Sequence, residues 1–119
     1  MLFRSIYNMG SNVFVKSGEL YNMADSQIAT GAGTAIYKSS PYSTFQAYGT
    51  TSAGAGAATI LIQGSNDKTN WVTIGTISLT LSTSSSTDAF ANQSTFKWVR
   101  SNVSAISGTD ATVSVIMGV

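Results

Sequence analysis

The chain has 119 residues, a single domain's length and enough to bury a core, yet only 9% of them are charged against roughly 25% in soluble domains, and the net charge is +1. It contains no His and no Cys, so the commonest general base, the thiol nucleophile, the usual transition-metal ligands and any disulfide framework are excluded. Lys16, Lys38, Lys68 and Lys97 are scattered, and Glu19, Asp25, Asp67, Asp88 and Asp110 are spread along the chain, so no nucleic-acid footprint and no close carboxylate pair is evident.

The first 33 residues carry Met1, Met9 and Met23 and no long clean alternation. Short strands are expected at 2–7 and 12–16, and the apolar residues Leu2, Phe3, Ile6 and Tyr7 call for a surface to bury them, in this chain's own sheet or on another chain. Residues 1–33 are therefore read as an N-terminal arm or edge segment, and 34–119 as a β-sandwich domain. Arg4 is followed by no apolar run of signal-peptide or membrane-span length, which gives the expectation of a protein used without secretion and without a membrane. A helix finds support only over 18–29, where Leu20, Met23 and Ile28 have a weak helical spacing.

From Thr34 onward the period is two. A strand is expected at 34–38. In 42–49, Phe45 and Ala47 point one way and Thr44, Gln46 and Tyr48 the other; in 57–64, Ala58, Ile60 and Ile62 share a face. The stretch "SAGAGA" (52–57) reads as a glycine turn between them. Strands at 70–75 and 76–82 follow, the second placing Ile77, Leu79 and Leu81 together. "STSSST" (82–87) breaks the pattern, 95–104 resumes it, "ISGTD" (106–110) turns, and 110–118 closes with Val113, Val115 and Met117 on one face. About eight short strands at roughly ten-residue spacing describe an all-β antiparallel sandwich or jelly roll.

Two stretches compete for a functional role. "IQGSNDKTNW" (62–71) is rich in oxygen ligands, but Asp67 is its one carboxylate and calcium sites lean on several. As a hairpin turn every residue has a reason, since Asn66 and Asp67 tolerate turn dihedrals and bond back to their own backbone. In "FKWVRSNVSAI" (96–106), Phe96, Trp98 and Arg100 fall on one face. The reading taken is a core anchor at Trp98 with Arg100 at the rim; the competing reading is an exposed sugar platform using Trp98 or Trp71. "NQS" (92–94) and "NVS" (102–104) are glycosylation acceptors only in a secreted chain, and "GAG" (31–33) lacks the strand–helix context of a phosphate loop. Neither a catalytic constellation, nor a metal site, nor a cofactor site is expected.

The run "ILIQGSNDKTNWVTIGTI", followed by "FKWVRSNVSAISGTDATVSVIMGV", resembles a small β-sandwich of tailed-bacteriophage structural proteins, in which an "EGSNDGTNW" hairpin precedes a "YVRANVT" strand. It is also similar to discoidin-type (coagulation factor 5/8 C-type) galactose-binding jelly rolls. The resemblance covers about residues 42–119, with Lys68 where glycine is usual. The cysteines and paired long loops of discoidin-type lectins are missing, which argues against carrying their glycan site over. What the phage resemblance implies is a virion protein, a capsid decoration (cement) protein located on the capsid surface. Its partners would be the major capsid protein and itself, as a homotrimer or homodimer, with Leu2, Phe3, Ile6 and Tyr7 as candidate contacts. Other readings are a tail, neck or fibre-base subunit, a carbohydrate-binding module for host attachment with Trp71 and Trp98 as platforms, and a hydrolase built on Asp67, Asp88 or Asp110.

Overall fold

The computed structural model describes residues 19–38 and 40–119. Nine strands run through these residues: β1 (Leu20–Gln27), β2 (Gly31–Ala32), β3 (Ile36–Tyr37), β4 (Tyr42–Thr50), β5 (Ala53–Ser65), β6 (Val72–Leu81), β7 (Ser86–Gln93), β8 (Trp98–Thr109) and β9 (Thr112–Gly118). They make a β-sandwich of two antiparallel sheets. One sheet has the order β1-β9-β4-β7 and the other β2-β8-β5-β6, with β3 also pairing β8.

Alternation decides which side of each strand meets the other sheet. Along β4 the burial pattern strictly alternates: Ser43, Phe45, Ala47 and Gly49 are buried, and Tyr42, Thr44, Gln46 and Tyr48 are exposed. Ala58, Ile60 and Ile62 of β5, Ile77, Leu79 and Leu81 of β6, Val99 and Val103 of β8, and Val113, Val115 and Met117 of β9 complete the core from both sheets. A fully buried side chain of this size contributes about 1.5–3 kcal/mol over its exposed state. With no disulfide available, this layer of aliphatic groups is the main cohesive element.

Some boundaries differ from the sequence expectation, each for a physical reason. The weak helical stretch at 18–29 is strand β1, an edge strand of this chain's own sheet paired to β9, with Met23 buried and Leu20 and Ile28 exposed. Residues 33 and 34 both bond within the fold: Gly33 N–H donates to the Ser101 carbonyl at 2.8 Å and Thr34 N–H to the Met23 carbonyl at 3.1 Å. The expected strands at 2–7 and 12–16 and the apolar residues Leu2, Phe3, Ile6 and Tyr7 lie outside the described residues. The expected pair of strands over 70–82 is one strand, β6. Gly75 breaks the hydrophobic pattern without ending the strand: it pairs with Ile62, a register shift adjoins it in the ladder, and the Phe90 ring fills its side-chain space, so that a Cβ there would stand 2.2 Å from Phe90 Cζ. The glycine-rich stretch at 52–57 is largely β5, the turn being confined to its start, and "STDAFANQ" is a strand, β7, that alternation does not reveal.

The chain changes sheet four times at one end of the sandwich, after β1, β4, β6 and β8, and the crossing after β4 bonds to those after β6 and β8. Thr51 N–H donates to the Ser82 carbonyl at 2.9 Å, Ser52 N–H to the Thr109 carbonyl at 3.0 Å, and the Ser52 hydroxyl to Asp110 at 2.9 Å. At the opposite end, Lys38 is buried to 4% exposure and ties two connections together, its ammonium donating to the carbonyls of Ser40 (2.6 Å) and Ser94 (2.7 Å). Burial and the nearby Lys97 charge push the Lys38 amine below its ordinary value.

Candidate functional site

The hairpin joining β5 to β6 is built by side chains bonding to their own turn. Ser65, 1% exposed, accepts from the backbone N–H groups of Asp67 (3.2 Å) and Lys68 (2.9 Å) and donates to Asp67 Oδ1 at 2.8 Å. Asp67 Oδ1 also accepts from the N–H groups of Thr69 (2.9 Å) and Asn70 (2.8 Å), and Oδ2 from Asn70 Nδ2 at 2.7 Å. These donors, led by the Asn70 backbone N–H, hold the carboxyl well below the usual carboxylate range. Lys68 takes a left-handed φ of 62°, a conformation that glycine adopts without strain. Both Asp67 oxygens are thus committed to the turn, as the hairpin reading expects. Among the described residues no group of three or more acidic side chains could hold a metal ion.

The fixed turn places two aromatic–cation pairs on the outer face of the five-stranded sheet. In β8, Val99, Ser101 and Val103 are buried, so Trp98, Arg100 and Asn102 face outward. Trp98 is half-buried on that surface and absent from the core, overturning the core-anchor reading. Alternation shows which residues share a face but not which face is inside. Phe96 does not join Trp98: it precedes β8, and its ring fills the side-chain space of Gly64, where a Cβ would stand 2.6 Å away. Lys68 Nζ lies 4.5 Å from the Trp98 ring centre, and the Tyr37 ring meets Trp98 edge-on at 5.3 Å. The Arg100 guanidinium lies 4.2 Å from the ring centre of Trp71, also half-buried. Gln63, opposite Arg100 on β5, accepts from Arg100 Nε at 2.9 Å and from Asn102 Nδ2 at 3.4 Å.

The four-stranded sheet presents a different surface. At its end away from the crossings, a trough of about 610 Å³ follows the cross-strand row Leu20, Gly118, Thr44 and Ala91. Its volume is within the range of ligand pockets. Leu20 is 75% exposed and Tyr42 63%, and Tyr48 is exposed further along β4, beyond Thr44 and Gln46. Beneath the trough, on the core-facing side of β4 and β7, the cross-strand partners Ser43 and Asn92 have Ser43 Oγ and Asn92 Oδ1 buried without a hydrogen-bond partner. Sequence reasoning misses this site because its residues come from four strands, two of them unassigned or doubtful by alternation.

Asp88 and Asp110, raised as hydrolase candidates, sit apart, on β7 and at the β8–β9 crossing, and Asp110 accepts from Ser52. No helix among the described residues is long and apolar enough to cross a membrane. In comparisons with known proteins, the chain matches no family model, no curated protein and no solved structure.

Proposed function

We propose that this chain is a virion structural protein of the capsid-decoration type, docking on the major capsid protein lattice as a homotrimer or homodimer and acting without catalysis. The observation that carries the reading is the outer face of the four-stranded sheet, where Leu20 and Tyr42 stand exposed around a trough and Tyr48 is exposed further along β4. Large apolar side chains exposed on a β-face are a docking feature. The low charge suits docking by contact area in place of long-range steering. Repetition on a lattice would multiply modest contacts into firm attachment. The hairpin of "GSNDKTNW", on which the phage resemblance rests, is a tightly bonded structural turn and so supports the sandwich part of that resemblance.

The test is binding of the purified chain to heads assembled from the major capsid protein of the same phage. Saturable co-sedimentation at a fixed copy ratio, with heads that withstand higher temperature, is the expected result; no binding to mature or immature heads rejects the proposal. Sedimentation of the free chain with and without residues 1–10 then reports whether Leu2, Phe3, Ile6 and Tyr7 take part in self-assembly.

A further inference from the structure

We propose that the outer face of the five-stranded sheet, on the opposite side of the sandwich from the docking face, binds an acidic polysaccharide, with Arg100 receiving a sugar carboxylate. Arg100 is held from two directions: the Trp71 ring lies under its guanidinium at 4.2 Å, and Nε is committed to Gln63 at 2.9 Å. The two terminal nitrogens are left as a fixed fork with no protein acceptor among the described residues. A planar fork held in this way matches a carboxylate bidentately and has already lost the side-chain freedom that binding would cost. Asp67, in the hairpin that carries Lys68 and leads into Trp71, cannot satisfy it, because both of its oxygens serve the turn. Lys68 over Trp98 supplies a second positive charge on the same face. Trp98 and Arg100 are two residues apart on β8, so the pairs are offset by roughly 7 Å along the strand.

The groups between the cations decide the rest of the ligand. The Gln63 carbonyl is occupied by Arg100 and Asn102, leaving the Gln63 amide N–H groups and Asn102 Oδ1 for an incoming molecule. Such neutral donors and acceptors suit hydroxyl groups. A peptide is a poor match here, because around Arg100 the strands are covered on both sides: β5 lies between β6 and β8, and β8 carries β3 at residues 98–99 and β2 at 102–103, which leaves no free backbone ladder at this place. Two cations are also few for a polyphosphate backbone. A polyol bearing carboxylates satisfies every group that the face presents.

The experiment is affinity electrophoresis and calorimetry of the intact chain with polygalacturonate, with neutral dextran and with polyglutamate as comparators. Polygalacturonate should bind, dextran should not, and polyglutamate should bind about tenfold more weakly. Arg100→Lys keeps the charge and loses the fork, so its affinity should fall about tenfold with an unchanged melting temperature. Ligand-induced change in tryptophan fluorescence should survive in Trp98→Phe and be lost in Trp71→Phe. Equal binding of dextran, equal binding of polyglutamate, or full affinity in Arg100→Lys would each overturn the proposal. Leu20→Glu, on the opposite face, should leave polygalacturonate binding intact, which keeps this test separate from that of capsid docking.

Discussion

The two outer faces of the sandwich rest on one shared core and follow the same two-residue period, yet they present opposite chemistry. On the four-stranded sheet, Leu20 and Tyr42 stand out into solvent beside a trough, and Tyr48 is exposed further along β4. On the five-stranded sheet Trp71 and Trp98 are half-buried, each lies against a cation, and Arg100 is further tied to Gln63. The first is an uncovered apolar surface; the second is a preorganised polar one. In a chain with so few charges, function is carried by where two or three cations are held and where apolar groups are left uncovered.

One substitution should break both faces together and cost the most. Ile60, 0% exposed on central strand β5, supports both sheets, so Ile60→Ala should cost about 2–5 kcal/mol in denaturant unfolding. A fall below about 1 kcal/mol would mean that the core relaxes around the void. Next is Gly75→Ala, which drives a methyl into the Phe90 ring and should cost about 1–3 kcal/mol. The double variant with Phe90→Leu should recover part of that loss, and additive losses in the double-mutant cycle would show that the ring is not what excludes a side chain.

The turn supporting the cationic face has a pH signature. Asp67 is held below the ordinary carboxyl value by its hydrogen bonds in the folded state, so its contribution is complete above the unfolded value of roughly 4 and is lost as pH falls through its lower folded value. Melting of the wild type should therefore decline below about pH 4, more steeply than that of Asp67→Asn, which lacks the titrating carboxyl. Parallel declines would remove Asp67 as the cause. A slighter change is expected at Ser101, fully buried with its hydroxyl unpartnered: Ser101→Ala should be neutral or stabilising by up to about 1 kcal/mol.

Alternation alone makes the aliphatic core legible: Phe45 and Ala47, Ala58, Ile60 and Ile62, Ile77, Leu79 and Leu81, and Val113, Val115 and Met117 all lie inside. It fails where strands carry few inward apolar groups. In β7 the Phe90 ring alone supplies substantial apolar packing, and in β1 only Met23 is fully buried while register shifts interrupt its pairing with β9. The hairpin is legible at Ser65 and Asp67, whose hydrogen bonds run between residues two or three apart; Asn66, expected to bond back to the turn, instead accepts from the Lys97 N–H, 31 residues away, at 3.2 Å. Trp98 departs from expectation because aromatic size favours burial, whereas Val99 and Val103 on the opposite parity have the stronger claim to the core. The trough and the Arg100–Gln63 bond join residues distant in sequence, which no local pattern reports.

The contrast between the faces is decided by head binding of Tyr42→Glu beside Thr76→Glu, two exposed substitutions placed on β4 and β6, one in each sheet. Tyr42→Glu should abolish co-sedimentation with heads while retaining its melting temperature, and Thr76→Glu should bind like the wild type. Undiminished binding by Tyr42→Glu, or equal loss in both variants, would contradict the assignment of the four-stranded face as the docking surface.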